Sequence, residues 1–61
     1  MSQLTTKELS ALEDILGMEK NLVTKYRDYA SKCADSAIKT KLENISAKHQ
    51  QHFDQLFGLL S

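Results

Sequence analysis

Proline and tryptophan are missing from this chain of 61 residues, and glycine occurs only as Gly17 and Gly58. With so few residues that interrupt a helix, long helices are open to almost the whole sequence. Cysteine is nearly absent too. Cys33 stands alone, which excludes an intrachain disulfide, fits a reducing compartment and leaves a bridge between two chains as the one covalent option. Neither sign of charge prevails, because eight Lys and Arg balance eight Asp and Glu, and the basic residues are scattered along the chain. Nucleic-acid binding is therefore not expected. No apolar run approaches the ~20 residues of a membrane span, and the polar opening MSQLTTKELS lacks the plan of a secretory leader. A cytoplasmic protein without membrane association is the expectation. No nucleophile paired with a base, phosphate loop or nucleotide fingerprint is present, so the chain is not expected to be an enzyme. Length is short as well. Domains of this size bury only about 60% of the surface that their unfolded chains expose, and they lean on staples, metals or partner subunits. One domain over residues 1–61 that associates with itself is the first expectation.

What the sequence does contain is a well-marked helix start. Thr5 and Glu8 have the spacing of a capping box, and Leu4 and Leu9 that of a hydrophobic staple, so a helix is expected from about residue 6. From there Leu9, Leu12, Leu16, Glu19, Val23, Tyr26, Ala30 and Cys33 follow one another at alternating steps of three and four. This is the seam of a helix bundle, and Ile15, Leu22 and Tyr29 beside it widen the apolar face beyond what a two-stranded coil needs. Continued past Cys33, the same phase meets Ala37, Thr40, Asn44, Ala47, Gln51 and Asp54, which is mostly polar, and the pattern fails. A shift of one residue restores it as Ile38, Leu42, Ile45, His49, His52, Leu56 and Leu59. One residue is about 100° of helix rotation, so a single straight helix cannot bury both seams. The spacing predicts a break near Ala34 and Asp35, with helices over about 6–33 and 36–59 and Asp35 or Ser36 capping the second. The competing reading is one long helix that absorbs the shift as a stutter. Two helices alone do not enclose a core. The expected fold is all-α, an antiparallel helical hairpin that dimerises into a four-helix bundle.

Three seam residues are misfits. Glu19, His49 and His52 occupy positions where the repeat calls for hydrophobes, and counting outward from the turn brings Glu19 level with the stretch from His49 to Gln50. His49 and His52, three apart, share one face of their helix. Two imidazoles and a carboxylate form a plausible first shell for zinc, or a two-His-one-carboxylate set for iron or manganese. The other reading is a metal-free Glu–His layer that fixes register and pairing at some cost in stability. Tyr26 reads as a core aromatic, Phe53 and Phe57 as packing residues, and Cys33 as a small buried hydrophobe. Gly17, just before Glu19, is either a tolerated helical glycine or a local bulge or close approach at the site.

The stretches MEKNLVTKYRDYASKCAD (Met18 to Asp35) and LENISAKHQQHFDQL (Leu42 to Leu56), together with the opening LTTKELSALEDIL, resemble the ferritin-like superfamily. Within it they are similar to the short proteins related to the spore coat protein F family of endospore-forming bacteria. The resemblance implies a half-bundle fold, a site at Glu19 and His52, a location in the spore coat and contacts with other coat proteins. Ferritin-like di-metal proteins take a Glu from one helix and Glu-x-x-His from the next. Here His49 stands where the second Glu is expected, so one bridging carboxylate per chain is missing and ferroxidase chemistry is disfavoured. Two functional expectations follow, a structural self-associating coat component and, as the alternative, a metal-handling protein that stores or oxidises iron.

Overall fold

The computed structural model describes residues 3–60, so the extreme ends of the expected 1–61 domain lie outside it. Among the described residues every element is helical: α1 (Thr6–Lys32), α2 (Ser36–Phe57) and a terminal 3₁₀ turn, η1 (Gly58–Leu60). Both helix starts are fixed by the residues that their types call for. The Glu8 amide donates to the Thr5 hydroxyl at 3.0 Å while the Thr5 amide donates to the Glu8 carboxylate at 2.9 Å, which completes the capping box. The amide bond from Thr5, followed by its hydroxyl, holds the Glu8 carboxyl below the usual carboxylate range. At the second start the Ile38 amide donates to the Asp35 carboxylate at 2.9 Å. Cys33 and Asp35 both adopt extended backbone, so the helix path ends and restarts there, which excludes the single long helix. At the other end of α2 the final turn tightens to 3₁₀, where the repeat alone predicts helix to about residue 59.

The helices pack side by side into a hairpin whose Cα extents are 46 × 16 × 11 Å. Its core is a single seam. Leu12, Leu16, Val23 and Ala30 of α1 are buried, at 8% exposure or less, and Tyr26 and Cys33 are half-buried beside them. From α2 the matching face is Leu42, Ser46, His49, Phe53 and Leu56, and here the structure departs from the sequence pattern. The repeat places Ile38, Ile45, His52 and Leu59 in the core, yet Ile38 is 52% and Ile45 37% exposed, and His52 and Leu59 are exposed as well. Ser46 takes the inner place instead. Its hydroxyl is buried and donates to the Val23 carbonyl at 2.9 Å across the hairpin, and its small side chain lets the helices approach there. Leu9, expected in the α1 seam, is 39% exposed and lies with Phe57 and Leu60 at the open end.

The two broad faces of the hairpin differ. On one, Lys20, Val23, Thr24, Arg27, Gln50 and Phe53 line a shallow groove of about 300 Å³, with charged and polar groups at its edges and an apolar share from Val23 and Phe53. Ile15, Met18 and Tyr29 of α1 are displaced the other way around the wheel, and so are Ile38, Ile45, His52 and Leu59 of α2. In an antiparallel pair those equivalent flanks lie on one side, so the second broad face carries two apolar stripes. On α2 the stripe repeats every seven residues.

Gly17 is neither a bulge nor a close approach. α1 runs through it without interruption, and a Cβ built there meets nothing within 4 Å. Gly17→Ala is expected to stabilise the folded chain by about 0.5–1 kcal/mol in chemical denaturation, because alanine loses less backbone freedom. Destabilisation would show that the helix needs glycine there. A second prediction concerns Glu8, whose folded state favours ionisation. Its contribution is fully present above the ordinary carboxylate range and is lost as pH falls through the lower folded value. Acidification through that window should lower the exchange protection of the Thr5 amide, which donates to that carboxylate, while the middle of α1 stays protected; unchanged protection at Thr5 would contradict it.

Candidate metal centre

Glu19 is the middle residue of the 27 in α1, as far from Thr6 as from Lys32. Across the hairpin, His49 and His52 present their rings to its carboxylate, as the count from the turn predicts. His49 Nδ1 lies 2.6 Å from Glu19 Oε1, and His52 Nδ1 lies 3.4 Å from Glu19 Oε2. With an ionised carboxylate as acceptor, the His49 Nδ1–H donates and Nε2 keeps a lone pair. The longer contact is a loose one. The carboxylate thus sits between two imidazoles, with its side chain only 16% exposed, against 23% for His49 and 51% for His52.

Aromatic rings frame this group. Tyr26 lies nearly parallel to the His49 ring, with centroids 5.9 Å apart and planes 13° apart, and Tyr29 meets Tyr26 edge-on at 6.0 Å. The two imidazoles meet at 5.7 Å and 84°. Tyr26, half-buried in the seam, thus packs beside the imidazole that binds Glu19. Ser46, one turn before His49, was not marked by the hydrophobic repeat. Its signal was present in the spacing of Leu42, Ser46, His49 and Phe53, which alternates by four and three like any seam.

The chemistry of the donor set fits one ion better than two. One donor atom from each of Glu19, His49 and His52 falls within 4.8 Å of the others, while donors around tetrahedral zinc stand roughly 3.3 Å apart for bonds of about 2.0–2.1 Å. A modest contraction by rotamer adjustment, mostly of half-exposed His52, closes that difference. A mononuclear site for a divalent ion that accepts imidazole is compatible with these residues. One chain falls short of the ferritin-like di-iron set, because this group contains one carboxylate where each half of that set supplies two. The same cluster is also satisfied without metal. No buried side-chain nitrogen or oxygen among the described residues lacks a partner. Comparison with family models, curated proteins and solved structures finds no match for this chain.

The Glu19–His49 hydrogen bond should be measurable as coupling. In a double-mutant cycle built on Glu19→Ala and His49→Ala, the pair is expected to couple favourably by about 1–2 kcal/mol in urea denaturation. Additive losses would mean that the contact does not contribute to folding.

Proposed function

We propose that this chain is a non-catalytic, self-associating building block. Two hairpins pair through their apolar faces into an antiparallel four-helix, ferritin-like bundle, and the bundle serves as a structural component of the spore coat. The observation that carries the pairing is the exposed stripe of Ile15, Met18, Tyr29, Ile38, Ile45 and Leu59 on one broad face. A face 46 Å long and 16 Å wide offers roughly 700 Å² per copy, close to the ~800 Å² per partner of a stable interface. Zero net charge adds no long-range repulsion between copies. Seven-residue spacing is the pattern that another helix reads. The spore-coat role itself rests on the resemblance of residues 18–35 and 42–56 to the coat protein F family.

The second reading is metal handling, iron storage or oxidation included, with Glu19, His49 and His52 as ligands. Three convergent donors favour a bound zinc, iron or manganese ion, while the single carboxylate disfavours oxygen chemistry at a bridged iron pair. Protein purified without an affinity tag separates the readings: ferrous-iron-dependent oxygen uptake supports the second, and its absence with metal loaded removes iron oxidation.

Sedimentation equilibrium tests the building block. The full chain is expected to be a dimer or larger at micromolar concentration, and Ile45→Glu, which sets a charge in the apolar stripe, should shift it toward monomer while helicity by circular dichroism persists. A folded monomeric wild type would contradict the proposal, as would an Ile45→Glu variant that associates as well as the parent. Enrichment in coat extracts of sporulating cells checks the location, and absence from such cells counts against it.

A further inference from the structure

We propose that the dimer holds one divalent cation shared between the Glu19–His49–His52 clusters of its two copies, and that this ion strengthens self-association. The inference rests on the pairing proposed above and adds to it the position, charge and openness of the cluster.

Position comes first. Because Glu19 is the middle residue of α1, its cluster lies near mid-length of the hairpin. Any two-fold axis that overlaps two hairpins fully, along the bundle or across it, brings their clusters close to one level. His52 lies within the stripe Ile38, Ile45, His52 and Leu59, and its side chain is half-exposed on the apolar face. The most exposed donor of the cluster, His52, thus lies on the face that the proposed pairing covers, not on the side of the groove lined by Lys20, Thr24 and Gln50.

Charge is the second element. Pairing the apolar faces brings two Glu19 carboxylates into one partly dry layer, and among the described residues no Lys or Arg is ion-paired with Glu19. Where the imidazoles beside them are neutral, two negative charges in such a place oppose association. One divalent cation balances both. Two separate ions would reverse the imbalance, leaving a surplus of positive charge in the same layer.

Ligand number agrees. A closed zinc site takes four protein ligands, and each chain supplies three donors, of which His52 is the loosest at 3.4 Å from the carboxylate. A single copy leaves a closed four-ligand site one donor short, and the facing copy offers three more, so one shared ion would draw its four ligands from the six of the pair. Ligands of this type favour zinc and its late first-row neighbours over magnesium or calcium. Because such an ion contacts both copies only in the dimer, its affinity must be higher there, and linkage then requires that it tighten the dimer.

The test is sedimentation equilibrium of the full chain with zinc chloride, with magnesium chloride or with chelator, combined with metal analysis of the zinc-loaded dimer. Expected are one zinc per two chains and a dimer dissociation constant lowered at least about tenfold by zinc and not by magnesium. His52→Gln, a change at a half-exposed position, should still dimerise in chelator but lose the response to zinc. One zinc per chain would overturn the shared ion, and so would zinc binding with an unchanged dissociation constant or no zinc binding. A chain that stays monomeric under every condition would instead overturn the pairing on which the inference rests.

Discussion

When two helices lie side by side, each can turn only one strip of its surface toward the other, and every remaining apolar residue has to face outward. This constraint governs the hairpin. Leu12, Leu16, Val23 and Ala30 use the inner strip of α1, leaving Ile15, Met18 and Tyr29 exposed. On α2 the competition is sharper, because Ser46 and Phe53 take the inner places and Ile38, Ile45 and Leu59 turn outward. Burial of one large aliphatic side chain is worth about 1.5–3 kcal/mol, so several outward-facing ones amount to a driving force for association that the single hairpin leaves unused. The proposed four-helix bundle is the arrangement in which both strips of each helix are covered.

Glu19 takes its meaning from the same geometry. Within one hairpin its carboxylate accepts the hydrogen bond of His49 and stays in loose contact with half-exposed His52, so the isolated cluster is satisfied and adaptable. His52 sets an exposed polar group within the outer strip of α2 at mid-length. A polar residue there opposes slippage, because a shifted partner would set an apolar side chain against the imidazole and carboxylate. In the proposed dimer, specificity of pairing and capacity for a cation would arise from the same three side chains. The His49 ring lies near-parallel to Tyr26 and is the less exposed of the two imidazoles, while His52 is half-exposed.

Much of the hairpin was legible from residue types. The capping box at Thr5 and Glu8, the cap at Asp35, the one-residue phase shift and the level of Glu19 with His49 all rest on local chemistry or on rise per residue, which tertiary context does not alter. Less legible was which of two adjacent strips of α2 faces α1. A hydrophobic repeat records that Ile45 and His52 belong to some interface; it does not record whether the interface lies inside the chain or between chains. Ser46 was hidden for a related reason. Its fitness for the inner strip comes from small volume and from a bond to the Val23 carbonyl, and neither registers as hydrophobicity. The loose position of His52 follows from the same rotation, since it belongs to the outer strip.

The central claim is that the face carrying Ile45 and His52 is where one copy meets another. Isotope-filtered nuclear Overhauser spectroscopy on a mixture of labelled and unlabelled chains observes that contact directly. The account predicts intermolecular cross-peaks from the Ile38 and Ile45 methyls and the His52 ring to Ile15, Met18, Leu22 or Tyr29 or to their own counterparts on the second chain. Intermolecular cross-peaks confined to the opposite face, around Lys20, Thr24 and Gln50, or none at all at concentrations where the chain is folded, would contradict it.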